Sequence, residues 1–543
     1  MKRWRLILLL GISVILVLDL LHPGFPFTHD GRDHIVRIAN FYESLQQGIL
    51  IPRWGGNLNW GYGHPVMEFL YPLPSYIASA FHFIGFSLVN SYKLVLALGI
   101  IASSFAMYLW LRSFLDPVSS TLGAFLYMFA PYRMVDAYVR GDIGENLAFL
   151  FVPLVLWAIR KVVTTEKIRY VLWGGAFWAG VILAHNAIAV MFLPVAILYA
   201  VILLACNWKK SLIWHIGGLF ALGFGLASFF WIPAVLEGKY TLRNVVTAGL
   251  YLSRFVKFQQ LVYGPWNYGQ TGEFTLQLGI ANWIGLVAGM IWGGMKVWNR
   301  KIHSEIGWLV VMLILASLAS IFLMLPYSAP LWQKVMLLQN FQFPWRFLSI
   351  DVFTTATLVA IMLSQIKKYR TALMIGGICL TFLFQWQYFH AQSYISHPDS
   401  FFSGIWDGTT DTGESTPIWS IRWMEQYPDA PVDVLDGKAH VVQVSRSFTK
   451  HDYIVTATEP TTLMENTLYF PGWHIYVDGK EVPIQYQDRR YVGQMTFTLP
   501  QGTHQVEVVF KDTKVRIIGE GISIVSIGIL IGMLVFAIRK KIL

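Results

Sequence analysis

Apolar stretches of about twenty residues recur along almost the whole of this 543-residue chain, and that length matches the hydrocarbon thickness of a bilayer. Twelve segments qualify: 4–21, 91–112, 118–135, 144–161, 170–185, 187–206, 212–234, 278–297, 305–325, 343–364, 371–390 and 515–538. A chain crossing lipid must satisfy its backbone internally, so these segments read as α-helices. Charged residues are 13% of the total, about half the ~25% usual in soluble domains. The class is therefore a polytopic α-helical membrane protein. One more apolar stretch, about 69–88, carries Pro72 and Pro74, which suit a helix start or a bent segment better than a smooth crossing.

Short basic runs lie between the apolar segments and set an orientation, with lysine and arginine on the cytoplasmic side. They are MKRWR at the start, 160–169, 207–210, 296–301, 367–370 and 539–541. The first segment looks like a signal peptide, but no small-x-small cleavage site follows, so it reads as a retained anchor. Alternation from Arg160 backwards puts residue 90 outside, which leaves 69–88 on the outer surface. The expected layout is a multi-pass cell-membrane protein with twelve spans, both termini cytoplasmic and three outer regions: 22–90, 235–277 and 391–514. The net charge of +10 is accounted for by these orientation runs, and nucleic acid is not an expected partner. Cys206 and Cys379 lie in or beside apolar segments, which excludes a disulfide framework and a thiolate metal site.

The domains expected are a transmembrane unit over 1–390, a mostly β extracytoplasmic unit over 391–514 and a final transmembrane helix over 515–543. Alternation in HDYIVTATE and QGTHQVEVVF predicts strands, and WHIYVDGKEVPI predicts a hairpin turning at Asp478-Gly479. A small β-sandwich is expected over about 440–512.

The first outer loop opens with FTHDGRDHIVR, which places His29, Asp30, Asp33, His34 and Arg37 where the chain leaves the membrane. Ile35, Ile38, Tyr42 and Leu45 then form one helical stripe, ended by Gly48. This amphipathic helix is expected on the outer leaflet. Asp30 or Asp33 can cap it, but one cap does not account for the whole cluster. Carboxylates gathered there suit general-base activation of a hydroxyl, or the gripping of a divalent cation against a phosphate. Further polar residues fall at outer span ends: Arg140, Asp142 and Glu145 in YVRGDIGEN, His185 and Asn186 in LAHNAIA, and Arg346 in FQFPWRF. Charge at membrane level is costly, so each is a candidate functional residue. The bland reading is that they pair with one another and pin the bundle. Arginines there suit a phosphate head, and nearby aromatics such as Trp54, Tyr71, Tyr132 and Trp345 suit a sugar ring or the interface belt.

Several long stretches carry a family resemblance: HDGRDHIVRIANFYESLQQGILIPRW and its continuation to Ile77, APYRMVDAYVRGDIGENLAFL, AHNAIAVMFLP, LWQKVMLLQNFQFPWRFL and YFPGWHIYVDGKEVPI. Together they resemble the YfhO-type, 6-pyruvoyl-tetrahydropterin-synthase-related bacterial membrane proteins. That group is in turn similar to the GT-C glycosyltransferases, polytopic enzymes that take a sugar from a polyprenyl-phosphate donor outside the cytoplasm. The resemblance implies a GT-C-like fold with an acidic motif in the first outer loop. It implies Asp30 as the catalytic acid residue of that loop, with Asp33 competing for the role. His34 fits the YfhO-type pattern, and Arg140, Asp142 and Glu145 fall where GT-C enzymes often carry a second polar cluster; with His185, Asn186 and Arg346, placed at outer span ends, they are the expected substrate contacts. No clean Asp-Glu or Asp-Asp pair is present, so the metal ligands are unassigned, and a divalent cation (Mg2+ or Mn2+) is the one cofactor considered.

The expected function is transfer of a sugar, hexosyl or pentosyl, from a polyprenyl-phosphate-linked donor to a cell-surface glycan, lipid or protein. Arg140 and Arg346 are expected to hold the lipid phosphate. Two rivals belong to other classes: a lipid-linked glycan transporter or flippase, and a non-catalytic cell-envelope assembly protein.

Overall fold

The computed structural model describes residues 4–269, 273–299 and 303–539. The basic residues expected to orient the chain at 1–3, 300–301 and 540–541 lie outside the described residues. Among the described residues, nine helices are long and apolar enough to cross a membrane. A tenth is counted if Lys210–Leu226 and Ser228–Leu236, which meet at a 72° bend, form one span. Ile168–Ala184 is a shorter apolar helix.

One predicted span breaks where its sequence makes it break. The stretch 118–135 is not one smooth helix. Pro117–Met128 ends early, and Ala130 takes an extended conformation (φ −61°, ψ 144°) before a new turn starts at Pro131. A residue preceding proline avoids the α region, so the break is local in origin. The chain then enters a five-residue π-type turn, Asp136–Arg140. His185 is extended (φ −162°, ψ 112°) and separates Ile168–Ala184 from Asn186–Cys206. In the stretch 69–88 the helix is Leu73–Phe83, beginning at the two prolines. Eleven residues at about 1.5 Å each are too short for a crossing.

The helix predicted after Asp33 spans Gly31–Gln46, and Gly48 follows it with φ +83°. Ile35 and Ile38 are fully buried, but so are Val36 and Phe41, and Arg37 and Asn40 nearly so. The helix is therefore packed into the protein, against Leu73–Phe83 and Leu88–Leu111, and does not lie on a leaflet with one stripe in lipid as expected.

The C-terminal unit carries two antiparallel sheets. One has three strands in the order Val432–Asp436, Thr461–Leu468, Gln494–Leu499. The other has five in the order Ala439–Arg446, Lys450–Ala457, Gly502–Phe510, Trp473–Val477, Lys480–Val482. Val477 pairs with Lys480 around Asp478 (φ 51°) and Gly479 (φ 79°), the left-handed turn that Asp-Gly favours. The first strand begins at Val432, before the 440 expected. Residues 391–431 are not β-rich: they hold one two-residue strand, Tyr394–Ile395, and one short helix, Asp399–Ser403.

Tyr453, Val455, Leu463, Phe497 and Val506 share one core with Trp54, Tyr62 and Phe69 of the first loop. Trp54 meets Trp473 edge to face at 5.4 Å. Phe25–Pro26 pairs with Tyr394–Ile395, and Leu242 N donates to Thr416 O at 2.8 Å. The three segments that the charge pattern placed on one side of the membrane thus contact one another directly.

Candidate functional site

The first loop and the π-type turn are joined by backbone. His29 N donates to Val139 O (3.0 Å) and Asp30 N to Arg140 O (2.8 Å). Tyr92 Oη donates to Gly141 O at 2.9 Å. Gly141 has φ +72°, and a Cβ there would lie 2.4 Å from both Tyr92 Oη and Thr28 Oγ1, so only glycine permits this approach.

Asp30 precedes the first residue of the Gly31–Gln46 helix, but its side chain makes no cap hydrogen bond. Thr28 Oγ1 accepts from Gly31 N instead (3.2 Å). The Asp30 carboxylate has no hydrogen bond or ion pair among the described residues, and it is half-buried. Burial raises its pKa above the ordinary carboxylate value; Arg140 opposes the shift, Asp142 adds to it, and His29 and Arg346 oppose it. Asp33, one turn along, is also half-buried and without a partner. Burial pushes it up to about 6 against the pull of Arg37 and Arg32. Neither aspartate is the cap.

Arg37 donates to Thr410 O and to His34 Nδ1, the latter at 3.0 Å. An arginine only donates, so Nδ1 of His34 is unprotonated. Burial first, and then Arg37, push His34 down to about 3, so the ring is neutral.

Arg140, Asp142 and Glu145 form the buried centre. Arg140 is paired with Asp136, with Glu145 Oε2 at 2.8 Å and with Asp142 Oδ2 at 2.9 Å. Its guanidinium lies 4.8 Å from the Trp345 ring. Asp142 Oδ1 caps the helix Ile143–Thr165, accepting from Gly144 N and Glu145 N at 2.9 Å each, and also from Tyr71 Oη at 3.1 Å. Burial opposes ionisation of Asp142, but Arg140 and His185 outweigh it and hold the carboxyl well below the usual range. Tyr132 Oη donates to Glu145 Oε1 (2.7 Å). Arg140 is thus taken up by three protein carboxylates, which differs from the phosphate contact expected of it. Asp136 lies four residues before Arg140, the ordinary i,i+4 ion-pair spacing, here within the π-type turn.

His185 Nε2 lies 3.7 Å from Asp142 Oδ2, and its Nδ1 accepts from Ile188 N (3.2 Å). Asn186 does not join this centre; its Nδ2 reaches Phe69 O at 3.4 Å.

Asp142, Glu145 and His185 offer ligand atoms within 4.8 Å of one another, the arrangement a divalent cation would need. The donor set does not fit one. Arg140 already donates to both carboxylates. The Ile188 N–H occupies Nδ1 of His185, so the neutral ring keeps its proton on Nε2, the atom that would have to bind the metal. A cation there would have to displace Arg140 and that proton together.

A different pair of charges carries no carboxylate. Arg346 donates to Phe341 O (3.0 Å) and lies 4.9 Å from the centroid of the Phe343 ring. Arg254 lies 4.5 Å from the same ring. Neither has an ion-pair partner among the described residues, and Arg346 Nε and Arg254 Nη1 are buried without hydrogen bonds. Burial, and then Arg346, pull the pKa of Arg254 down. Arg346 also acts electrostatically on Asp30. Sequence reasoning missed Arg254: it is one of two arginines in the middle loop, with no motif or periodicity to mark it.

A protein of Lactococcus lactis subsp. cremoris (strain MG1363), described only as uncharacterized, is 26% identical over 275 residues, 48% of this chain and 44% of that protein. The chain thus spans less than half the length of the curated relative it matches. Among solved structures, the mycobacterial arabinofuranosyltransferase AftD aligns with a TM-score of 0.48 and 14% identity, over 71% of this chain and 27% of that one. The Archaeoglobus fulgidus oligosaccharyltransferase gives 0.45 and 14%, over 77% and 61%. ArnT from Cupriavidus metallidurans, bound to undecaprenyl phosphate, gives 0.32 and 11%, over 72% and 90%. The family model described as "6-pyruvoyl-tetrahydropterin synthase related domain; membrane protein" matches residues 67–389, more than half of the chain, and the protein belongs to that family of membrane proteins.

Proposed function

We propose that the protein is a membrane glycosyltransferase that takes a sugar from a polyprenyl-phosphate donor and passes it to a hydroxyl of a cell-surface glycan, lipid or protein. The observation that supports this reading is that two kinds of unsatisfied group occur near one another, with Arg346 acting electrostatically on Asp30. Asp30 is a carboxylate free of cap and ion pair, with a raised pKa, and Arg254 and Arg346 are cations without a carboxylate. A raised carboxylate pKa makes a stronger base, and paired arginines suit a departing phosphate.

In this reading Asp30 accepts the proton of the acceptor hydroxyl while its oxygen attacks the anomeric carbon. The bond from that carbon to the phosphate oxygen breaks, and the electron pair leaves on the phosphate, facing Arg254 and Arg346. One displacement inverts the anomeric carbon. Asp33 is the reserve base. Arg140, Asp142, Glu145 and His185 hold the floor of the pocket, and His34 orients Arg37. The pocket opens on the extracytoplasmic side, with both termini cytoplasmic and the unit 391–514 outside. No step is routed through a metal.

The test is release of polyprenyl phosphate from a panel of radiolabelled polyprenyl-phosphate sugars by the purified protein in detergent. Wild type should release it and Asp30→Asn should not, with both variants equally folded. Release that survives Asp30→Asn removes Asp30 from the role, and no release from any donor by folded wild type removes the transferase reading.

A further inference from the structure

At the other end of the helix that starts beside Asp30, a cleft of about 150 Å³ opens between the first loop and the β unit. Glu43, which lines it, lies about 20 Å along the helix from Asp30. The loop contributes Glu43, Gln47, Asn57 and Tyr62, and the five-stranded sheet contributes Arg446 and His451.

His451 is buried, with Nδ1 2.9 Å from Glu465 Oε1. A carboxylate accepts, so Nδ1 carries a proton and donates to Glu465, which leaves Nε2 as the ring's second polar atom. Nε2 has no hydrogen-bond partner among the described residues, and the ring lines the cleft. Glu465 is fully buried and also accepts from Arg446 and Thr467, each at 3.0 Å. Burial opposes its ionisation, but His451 and Arg446 outweigh burial and hold its carboxyl below the ordinary value. The Glu465 carboxylate therefore fixes the orientation of His451.

On the facing wall the Glu43 carboxylate takes amide hydrogens from Asn57 (3.1 Å) and Gln47 (3.4 Å). The Glu43 carboxylate (an acceptor), the second amide hydrogen of Gln47 (a donor) and Nε2 of His451 thus share one small space beside the rings of Trp54 and Tyr62, while the second amide hydrogen of Asn57 is taken by Ser403 O (3.1 Å). Each sugar hydroxyl donates and accepts at once, so it needs neighbours of both kinds. The C–H face of a sugar ring also lies well against an aromatic ring. An anion suits the cleft poorly. Glu43 lines it, and the guanidinium of Arg446 is occupied by Glu465, Tyr453 and Thr467. The volume is below the roughly 300 Å³ where drug-sized pockets begin, and suits a single ring of a longer chain.

We infer that this cleft is a saccharide-binding site that holds one ring of a neutral glycan between the first loop and the β unit. It is separate from the Asp30 pocket, so occupancy does not depend on transfer chemistry. A polymer bound there would reach back along the helix towards Asp30.

The test uses the full chain in detergent on an array of neutral oligosaccharides built from hexoses, deoxyhexoses, N-acetylhexosamines and pentoses, with polyglycerol phosphate as the anionic probe. At least one neutral class should be retained. Glu43→Leu, which keeps the volume but removes both acceptor oxygens, should weaken retention about tenfold. His451→Gln should do the same, and Asp30→Asn should bind as wild type does. Where His451→Gln does not stay monodisperse, Glu43→Leu decides. Three results each overturn the inference: folded wild type retains no neutral class, retention is unchanged by Glu43→Leu, or polyglycerol phosphate is preferred. Donor cleavage that persists while glycan binding is absent overturns the cleft alone and leaves the transferase reading standing.

Discussion

Arg254 and Arg346 come from separate loops and lie against one ring, that of Phe343, at 4.5 and 4.9 Å from its centroid. Two like charges so close, with no carboxylate partner among the described residues, suit the anion proposed for them. Arg254→Ala and Arg346→Ala should each weaken the donor about 10- to 100-fold, the worth of one or two hydrogen bonds to a charged group. The loss should appear in KM for the polyprenyl-phosphate sugar, while Arg→Lys at either place recovers only part of it because lysine lacks the planar fork. Equal KM values in wild type and Arg254→Ala would remove Arg254 from the site.

Arg140 should behave differently from that pair. It neutralises Asp136, Asp142 and Glu145 in a buried centre. Removing one partner of a buried ion pair typically costs about 3–5 kcal/mol, because the charges left behind are unpaired. Thermal unfolding in detergent should therefore show Arg140→Ala with a much lower midpoint than Arg346→Ala. The reverse order would mean that Arg140 is not the keystone of this centre.

Asp33 supplies a pH signature. Its pKa rises from the ordinary value to about 6 in the folded chain, chiefly through burial. Between roughly pH 4 and pH 6 the folded state therefore binds more protons than the unfolded state, and stability falls as pH rises through that window. Above it the ionised carboxylate is a continuing cost. Asp33→Asn mimics the protonated form, so it should raise the melting midpoint at pH 7.5 by about 2 °C or more and change it little at pH 4. Equal shifts at the two pH values would contradict the raised pKa.

Gly141→Ala tests the seam between the first loop and the π-type turn. The new Cβ would meet Tyr92 Oη and Thr28 Oγ1 at 2.4 Å, on a backbone with positive φ. The expected loss is about 1–3 kcal/mol from overpacking, with strain added. A lower melting midpoint and lower transfer should appear together, since Arg140 and Asp142 flank this glycine. A variant as stable as wild type would show that the seam can relax.

Some of this protein is written locally. Apolar length, the Gly48 stop, the proline start near Leu73 and the Asp478-Gly479 hairpin each depend on a few neighbouring residues, through hydrophobic burial or backbone sterics. The break at Ala130 was equally local, since Pro131 causes it, but a hydropathy average over 118–135 hides a single proline. The candidate residues His29, Asp30, Asp33, Arg140, Asp142, Glu145 and His185 were also visible, because charge beside apolar segments is costly wherever it occurs.

Their division of labour was not visible. Asp30 stays unpaired because Thr28, two residues earlier, satisfies the helix end. Arg140 is neutralised because a π-type turn swings it over three carboxylates. Arg254 gains a role only through Phe343, which belongs to a distant segment. The sequence by itself determined which segments are apolar enough to enter a membrane and which charges remain near their ends. Only the tertiary structure decided which of those charges cancel and which are left for a ligand, because cancellation is a matter of a few ångströms between loops, and no local propensity encodes that distance.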